Sequence, residues 1–313
     1  MDGLIEIREA YGNALRDLGA VNKRVITLEA DVGSSSKSII FGKAFPERYY
    51  NVGIAEINMV SMAAGFAASG LIPFVNTFCT FMTARAADPI SGYIAYDRLN
   101  VKLAGAYSGL SDSYDGASHH SINDLAFMCS LPNMTVISVC DPIETKKAVF
   151  EAARIDGPVY LRLSRAATPS IFDESYNFKA GKGVLLRPGS DVTIIATGYM
   201  VHTALEAARI LSEEGISAAV VDMHTIKPID RDMILDCAAK TGAIVTAEEH
   251  VASGGLSGAV AQVLVSARPV PVEVVAIPDF AESGSYFGLL KKYGLDSSAV
   301  AQKAKSAIKR KGC

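Results

Sequence analysis

A carboxylate stands at the mouth of an apolar helix in the stretch Tyr50-Asn51-Val52-Gly53-Ile54-Ala55-Glu56-Ile57-Asn58-Met59. The residues before Glu56 are those of a short buried strand, and those after it, to about Ser69, are those of a buried, small-residue helix. Buried carboxylates are rare unless paired, and burial raises their pKa, so such a group can hold or share a proton near neutrality. That is what a general acid–base or a cofactor-protonating group requires. The competing explanation of this stretch alone is a carboxylate favoured by the positive end of the helix.

Further candidates lie at similar positions. His119 and His120 are adjacent in a loop with Asp115 and Gly116; on such a loop one of the pair reaches a given ligand. Arg165 follows the apolar run Val159 to Leu163, where a guanidinium can grip a phosphate with two parallel hydrogen bonds. Arg8 alone is ordinary. Phe78 and Phe81 are core residues by default, and at a strand end they can instead stack against a planar ring. Two adjacent histidines do not make a metal site. Ser253-Gly254-Gly255 opens a helix but is a weak anion signal.

These residues need elements to position them, and the apolar periodicity supplies them. A helix is expected from Ile5 to Leu18, stopping at Gly19. Strands are expected at Val25 to Leu28, Tyr49 to Val52, Leu71 to Val75, Val101 to Gly105, Met134 to Val139 and Val159 to Leu163, with helices between. Gly33 to Ser36 reads as a polar loop, Thr77 to Tyr96 as loop then helix, and Ser108 to Ser121 as a Gly/Ser/Asp/His loop. The alternation lapses over 167–190, read as a linker between a first domain at 1–166 and a second at 191–313. The second unit has strands at Val192 to Ala196, Ala218 to Asp222, Ala243 to Ala247 and Val272 to Ala276. Its helices run from Val201 to Glu214, Asp232 to Ala239, Gly255 to Ala267 and, as a basic tail, Ala299 to Arg310. The fold class is therefore α/β, two consecutive domains with mostly parallel sheets covered on both faces. Ligands of such sheets gather beyond the carboxyl ends of the strands. That rule brings together the Asp31–Ser36 loop, Glu56, Thr77–Phe81, the Tyr107–His120 loop and Arg165, a pocket for an organic substrate with one anion-binding end.

Composition narrows the classes. The chain has 313 residues, 30 Lys+Arg against 33 Asp+Glu, and a net charge of -3, which leaves no electrostatic footprint for nucleic acid. Its 5 cysteines are odd in number and form no CxxC pair, arguing against a disulfide framework or structural zinc. The apolar run Met59 to Val75 is broken by Ser61, Gly65, Ser69, Gly70 and Pro73, and Met1-Asp2-Gly3 leads straight into a charged helical pattern, so a cytoplasmic, soluble chain is expected. No GxGxxG or GxxxxGK[ST] motif follows a strand. The charged end of any phosphorylated cofactor must then be held from outside this chain.

Gly53-Ile54-Ala55-Glu56, Thr77-Phe78-Cys79-Thr80-Phe81, Asp115-Gly116-Ala117-Ser118-His119 and Leu163-Ser164-Arg165, in that order, give the chain a family likeness. From about Ile7 to its end it resembles the C-terminal half of transketolases, and in particular the second subunit of the split, two-gene form. The resemblance implies a pyrimidine-binding domain, a C-terminal domain and the cofactor thiamine diphosphate. Glu56 matches the glutamate that hydrogen-bonds N1′ of the aminopyrimidine and activates the cofactor. Phe81 matches the ring stacked on that pyrimidine, Phe78 its aromatic neighbour, and Asp31 an acidic residue nearby. Asp115 and His119 match the sugar-hydroxyl contacts; Arg8, Ser35 and Arg165 match the groups around the sugar's terminal phosphate. The family's Gly-Asp-Gly…Asn motif, which binds Mg²⁺ (or Ca²⁺), is not found. The resemblance thus implies an N-terminal, diphosphate-binding partner subunit that carries the metal, an α2β2 heterotetramer, and two-carbon ketol transfer between phosphorylated sugars. Deoxyxylulose-phosphate synthases and 2-oxo acid dehydrogenase β subunits are alternatives in the same superfamily, and a non-catalytic scaffolding subunit is an alternative outside it.

Overall fold

The computed structural model describes residues 3–311; Met1-Asp2 and Cys313, on which two of the readings above touch, lie outside them. The first sheet has seven strands, in the order Thr225–Lys227, Thr135–Ser138, Val159–Leu163, Lys102–Ala106, Ile72–Phe78, Val25–Glu29 and Tyr49–Asn51. All pairs are parallel except the one made by Thr225–Lys227. The second sheet has five, in the order Val272–Val275, Ile244–Ala247, Val192–Ala196, Ala218–Asp222 and Val184–Arg187, the last antiparallel. In each sheet the chain returns to the far side of its first parallel strand, creating a switch point where an open sheet leaves a crevice. Two α/β domains with mostly parallel sheets are thus what the apolar runs predicted.

Local chemistry explains the layering. Val159–Leu163 and Val192–Ala196 are buried at every position, as strands covered on both faces must be. The helix Ile7–Val21 turns Ile7, Tyr11, Leu15 and Leu18 inward at helical spacing and packs against the helix Pro142–Arg154. Burying each such large apolar side chain contributes about 1.5–3 kcal/mol. The Tyr11 hydroxyl, fully buried, donates to Asn76 Oδ1 at 2.6 Å, and Asn76 in turn donates to the carbonyls of Leu28 and Phe74. A buried polar group is thereby satisfied where the helix meets the sheet. The core crosses the domain boundary, for Leu28, Met59 and Leu103 share one cluster with Val221, Ile244 and Leu256.

Several expectations need correcting. The first helix runs through Gly19 to Val21, and Gly33–Ser36 forms one helical turn rather than a loop. Thr77 and Phe78 end a strand, and the helix Cys79–Arg85 begins directly after it. The segment read as a linker is partly structured. Ala167–Thr168 pairs with Ile5–Glu6, and Val184–Arg187 is an edge strand of the second sheet. Its half-exposed positions lack the apolar run of a central strand, and Gly183 and Gly189 on either side punctuate like loop. The helices Asp124–Ser130 and Tyr286–Lys292 were not foreseen; each is 7 residues, too short for a periodic signal. No helix among the described residues is long and apolar enough to cross a membrane.

Candidate functional site

The site begins at a tight turn. Gly53 adopts φ 74°, a left-handed conformation that glycine takes without penalty, and its N–H donates to Asn51 Oδ1 at 2.8 Å. Asn51 Nδ2 donates to Asp31 Oδ1 at 3.0 Å, so Asp31, itself left-handed and exposed, is tied to this turn. Two residues past the turn's end Glu56 becomes the first residue of the helix Glu56–Ala68 and is 5% exposed. Its Oε1 accepts from Arg85 Nη1 at 2.6 Å, and the same guanidinium lies 3.7 Å over the centre of the Phe81 ring. A carboxylate and an aromatic face thus grip one planar N–H-bearing group between them.

A run of rings leads on from there. Phe81 is 5.5 Å from Phe78 and 5.1 Å from His119, edge-on to the latter. Phe78 stacks on Tyr107 at 4.5 Å with 14° between the planes. Tyr107 adopts φ 63°, a strained conformation for an aromatic residue, and strain of this kind gathers at functional sites. Two arginines meet its ring, Arg8 at 5.4 Å and Arg165 at 5.1 Å. Arg8 Nη1 donates to the Tyr107 hydroxyl at 2.6 Å and to the Ser35 carbonyl at 3.1 Å, while Glu6 holds the rest of its fork. Ser35 therefore enters the site through its backbone. Arg165 Nη1 donates to Asp112 Oδ1 at 3.0 Å, leaving its side chain 40% exposed.

Asp112 is fully buried, and its second oxygen has no hydrogen-bond partner. Burial, then the like charge of Asp115, pushes its carboxyl up to about 6. Asp112, Asp115 and His119 present atoms within 4.8 Å of one another. Asp115 is exposed and His119 half-buried beside the Phe rings, whereas His120 turns inward to the Ser113 carbonyl. One of the adjacent pair faces the site, as the loop argument required. The structure thus places Glu56, Phe78, Phe81, His119, Asp115, Arg165, Arg8 and Ser35 along one surface, with Asp31 at the turn that feeds it. Sequence reasoning missed Arg85, and it did not single out Tyr107 and Asp112 within the loop it placed at the pocket. Asp112 had one signal, its place in the polar loop three residues before Asp115. Arg85 had one as well, its place one helical turn after Phe81, although its carboxylate partner Glu56 is distant in sequence.

Comparison with known proteins gives the family. The transketolase pyrimidine-binding domain family matches residues 4–170, and the transketolase C-terminal domain family matches 181–300. The chain is 42% identical over 308 residues to a putative transketolase C-terminal section of Methanocaldococcus jannaschii, covering 97% of this chain and 96% of that protein. It is 39% identical over 306 residues to a 6-deoxy-6-sulfo-D-fructose transketolase subunit of a Clostridium species, covering 97% and 95%. A solved split-gene transketolase, an inactive β4 tetramer, superimposes with a TM-score of 0.93 at 46% identity, over 98% of this chain and 99% of that one. The chain belongs to the transketolase family, and its likeness is to the C-terminal subunits of the split-gene form.

Proposed function

We propose that this chain is one subunit of a cytoplasmic heteromeric transketolase that transfers a two-carbon ketol unit between phosphorylated sugars. In that reaction the C2–C3 bond of a ketose breaks, an aldose leaves, and a new carbon–carbon bond forms to the carbonyl of a second aldose. The observation that carries the reading is the Glu56–Phe81 slot, continuous through Phe78 and Tyr107 with the Arg8–Arg165 end. Thiamine diphosphate, the cofactor that the pyrimidine-binding domain implies, supplies when bound the carbon nucleophile that carries the two-carbon unit. That Glu56 and Phe81 hold the flat Arg85 guanidinium supports a fit to its aminopyrimidine. The Glu56 carboxylate would accept from that ring when the ring nitrogen is protonated, and a protonated Glu56 would donate to it when the ring is neutral.

Each residue then has a task. Glu56 holds the proton at the ring nitrogen, and Phe81 stacks beneath the ring with Phe78 behind it. Asp31 anchors the turn that sets Glu56. Asp115 and His119 hydrogen-bond the sugar hydroxyls, with His119 moving a proton there. Arg8 and Arg165 pair with the terminal anion, and the Ser35 carbonyl orients Arg8. The name of the Clostridium relative contains a sulfonated sugar, and the same two guanidinium groups suit a sulfonate as well as a phosphate. The diphosphate and its Mg²⁺ or Ca²⁺ fall to the partner subunit, in an α2β2 assembly.

Calorimetric titration tests this directly. Thiamine diphosphate with Mg²⁺ is titrated into this chain alone and into this chain with its diphosphate-binding partner, followed by a turnover screen of ketose phosphates and a sulfonated ketose. Binding and turnover only in the mixture are expected. Tight binding to the isolated chain overturns the divided site.

A further inference from the structure

The second domain contributes none of the residues placed around cofactor or sugar above, yet it touches the sugar loop repeatedly. Glu249, just past the strand Ile244–Ala247, is 2% exposed and reaches the base of that loop. Its Oε1 accepts from the Leu110 N–H at 2.6 Å, and its Oε2 accepts from the Tyr286 hydroxyl at 2.8 Å. The approach is so close that a Cβ on Gly109 (φ 59°) would lie 2.5 Å from the Glu249 carboxylate. Arg162 ties the two sides together, donating to the Ser121 carbonyl at 3.1 Å and the Glu249 carbonyl at 2.9 Å. Farther along, the Gly284 N–H donates to the Ser113 carbonyl at 3.3 Å, and Gly116 packs on Ser283.

The loop needs such support. Tyr107 and Ser113 hold left-handed conformations without being glycine, at φ 63° and 41°. Each costs on the order of 1–3 kcal/mol and persists only where the surroundings over-determine it. The contacts from the second domain bracket the residues that carry Asp112, Asp115 and His119.

We infer that Glu249 is a positioning residue for sugar recognition, through which the C-terminal domain holds the Ser108–Ser121 loop in its working shape. The inference rests on the proposed assignment of Asp115 and His119 to the sugar. Alanine at 249 orphans the buried Leu110 N–H. Glutamine keeps both contacts, its carbonyl accepting from Leu110 and its amide donating to the Tyr286 oxygen.

The test uses the enzyme assembled with its partner, thiamine diphosphate and Mg²⁺, comparing wild type with Glu249→Ala, Glu249→Gln and Tyr286→Phe. For Glu249→Ala, KM for the aldose phosphate should rise about 10-fold or more, the effect of one unpaired buried donor. The thiamine diphosphate Kd should stay within about two-fold, because the Glu56 slot lies on other elements. Glu249→Gln should restore KM, and Tyr286→Phe, the milder change should alanine fail to fold, should raise it partway. Hydrogen exchange of the 113–120 amides is read on the same samples. It should quicken in Glu249→Ala and Tyr286→Phe and not in Glu249→Gln. Exchange unchanged in both disruptive variants overturns the inference, as does a KM change matched by equal losses in cofactor affinity and thermal midpoint. Should wild type fail to turn over phosphorylated sugars, the proposed function falls, while the exchange data still decide whether Glu249 holds the loop.

Discussion

The two domains repeat one topology and use it in opposite ways. Each sheet has a switch point with polar groups at its strand ends. In the second domain those groups are buried and turned towards the protein itself, although Asp222 keeps one oxygen without a hydrogen-bond partner. Asp222 accepts from Cys140, Thr197 donates to the Ser138 carbonyl, Glu248 caps the helix Leu256–Ala267, and Glu249 is engaged on both oxygens. The crevice where a ligand would lie is filled by the first domain. In the first domain the guanidinium groups near the corresponding ends face outward, Arg85 and Arg165 being 45% and 40% exposed, although buried carboxylates keep one oxygen unpaired on both sides, at Asp112 and at Asp222. A shared fold therefore does not locate a site; what matters is which strand ends the chain leaves open to solvent.

The contrast can be broken by exchanging consequences. Glu56→Gln should leave the fold intact and reduce turnover of the assembled enzyme by about 10²–10⁴-fold, the span of general acid–base effects. Full turnover with normal circular dichroism would put Glu56 in the structural class. In the sealed region, Asp124→Ala strands Arg162, whose guanidinium donates to both Asp124 oxygens from a fully buried position. Breaking such a pair destabilises by about 3–5 kcal/mol, read as a shift in the denaturant midpoint; a shift below about 1 kcal/mol would mean that solvent reaches the interface.

The smallest effect is a pH slope. Burial pushes the Glu249 carboxyl up to about 7, whereas unfolded it titrates near its ordinary value of roughly 4.3. Between those values the folded state holds the extra proton, so this stabilising contribution is full at low pH and is lost as pH rises towards 7. Glu249→Gln removes the dependence. Its stability relative to wild type should climb between about pH 4.3 and 7, measured by urea midpoints at fixed ionic strength, and a flat difference would mean that the carboxylate is ionised throughout.

How much of this was legible depended on how local each signal is. Val159–Leu163, Val192–Ala196 and Ala218–Asp222 were readable to the residue, since continuous apolar runs between polar turns suit a strand covered on both faces. Thr225–Lys227 was not, because three residues that leave the second domain to pair with Thr135–Ser138 carry no pattern of their own. In the site, Glu56 announced itself as a carboxylate among apolar neighbours. Those neighbours are not buried as expected: the strand Tyr49–Asn51 is only partly covered, and Ile54 and Ile57 are exposed. Arg85 and Asp112 acquire their ionic partners through the fold, Glu56 being 29 positions from Arg85 and Arg165 53 from Asp112, although Arg85 meets Phe81 within its own helix. Glu249 is farther still, 139 positions from the N–H it grips.

The Arg85 contact changes what assembly has to achieve. A subunit waiting for its partner does not carry a bare anion in an apolar hollow, since the guanidinium keeps both the carboxylate and the ring face occupied. On the proposed reading, loading exchanges one flat guest for another, and Glu56 gives up its salt bridge as the guanidinium leaves. The departing guest is a half-exposed surface side chain, and such side chains reorient within nanoseconds. On that reading the slot needs only the swing of one surface side chain to open.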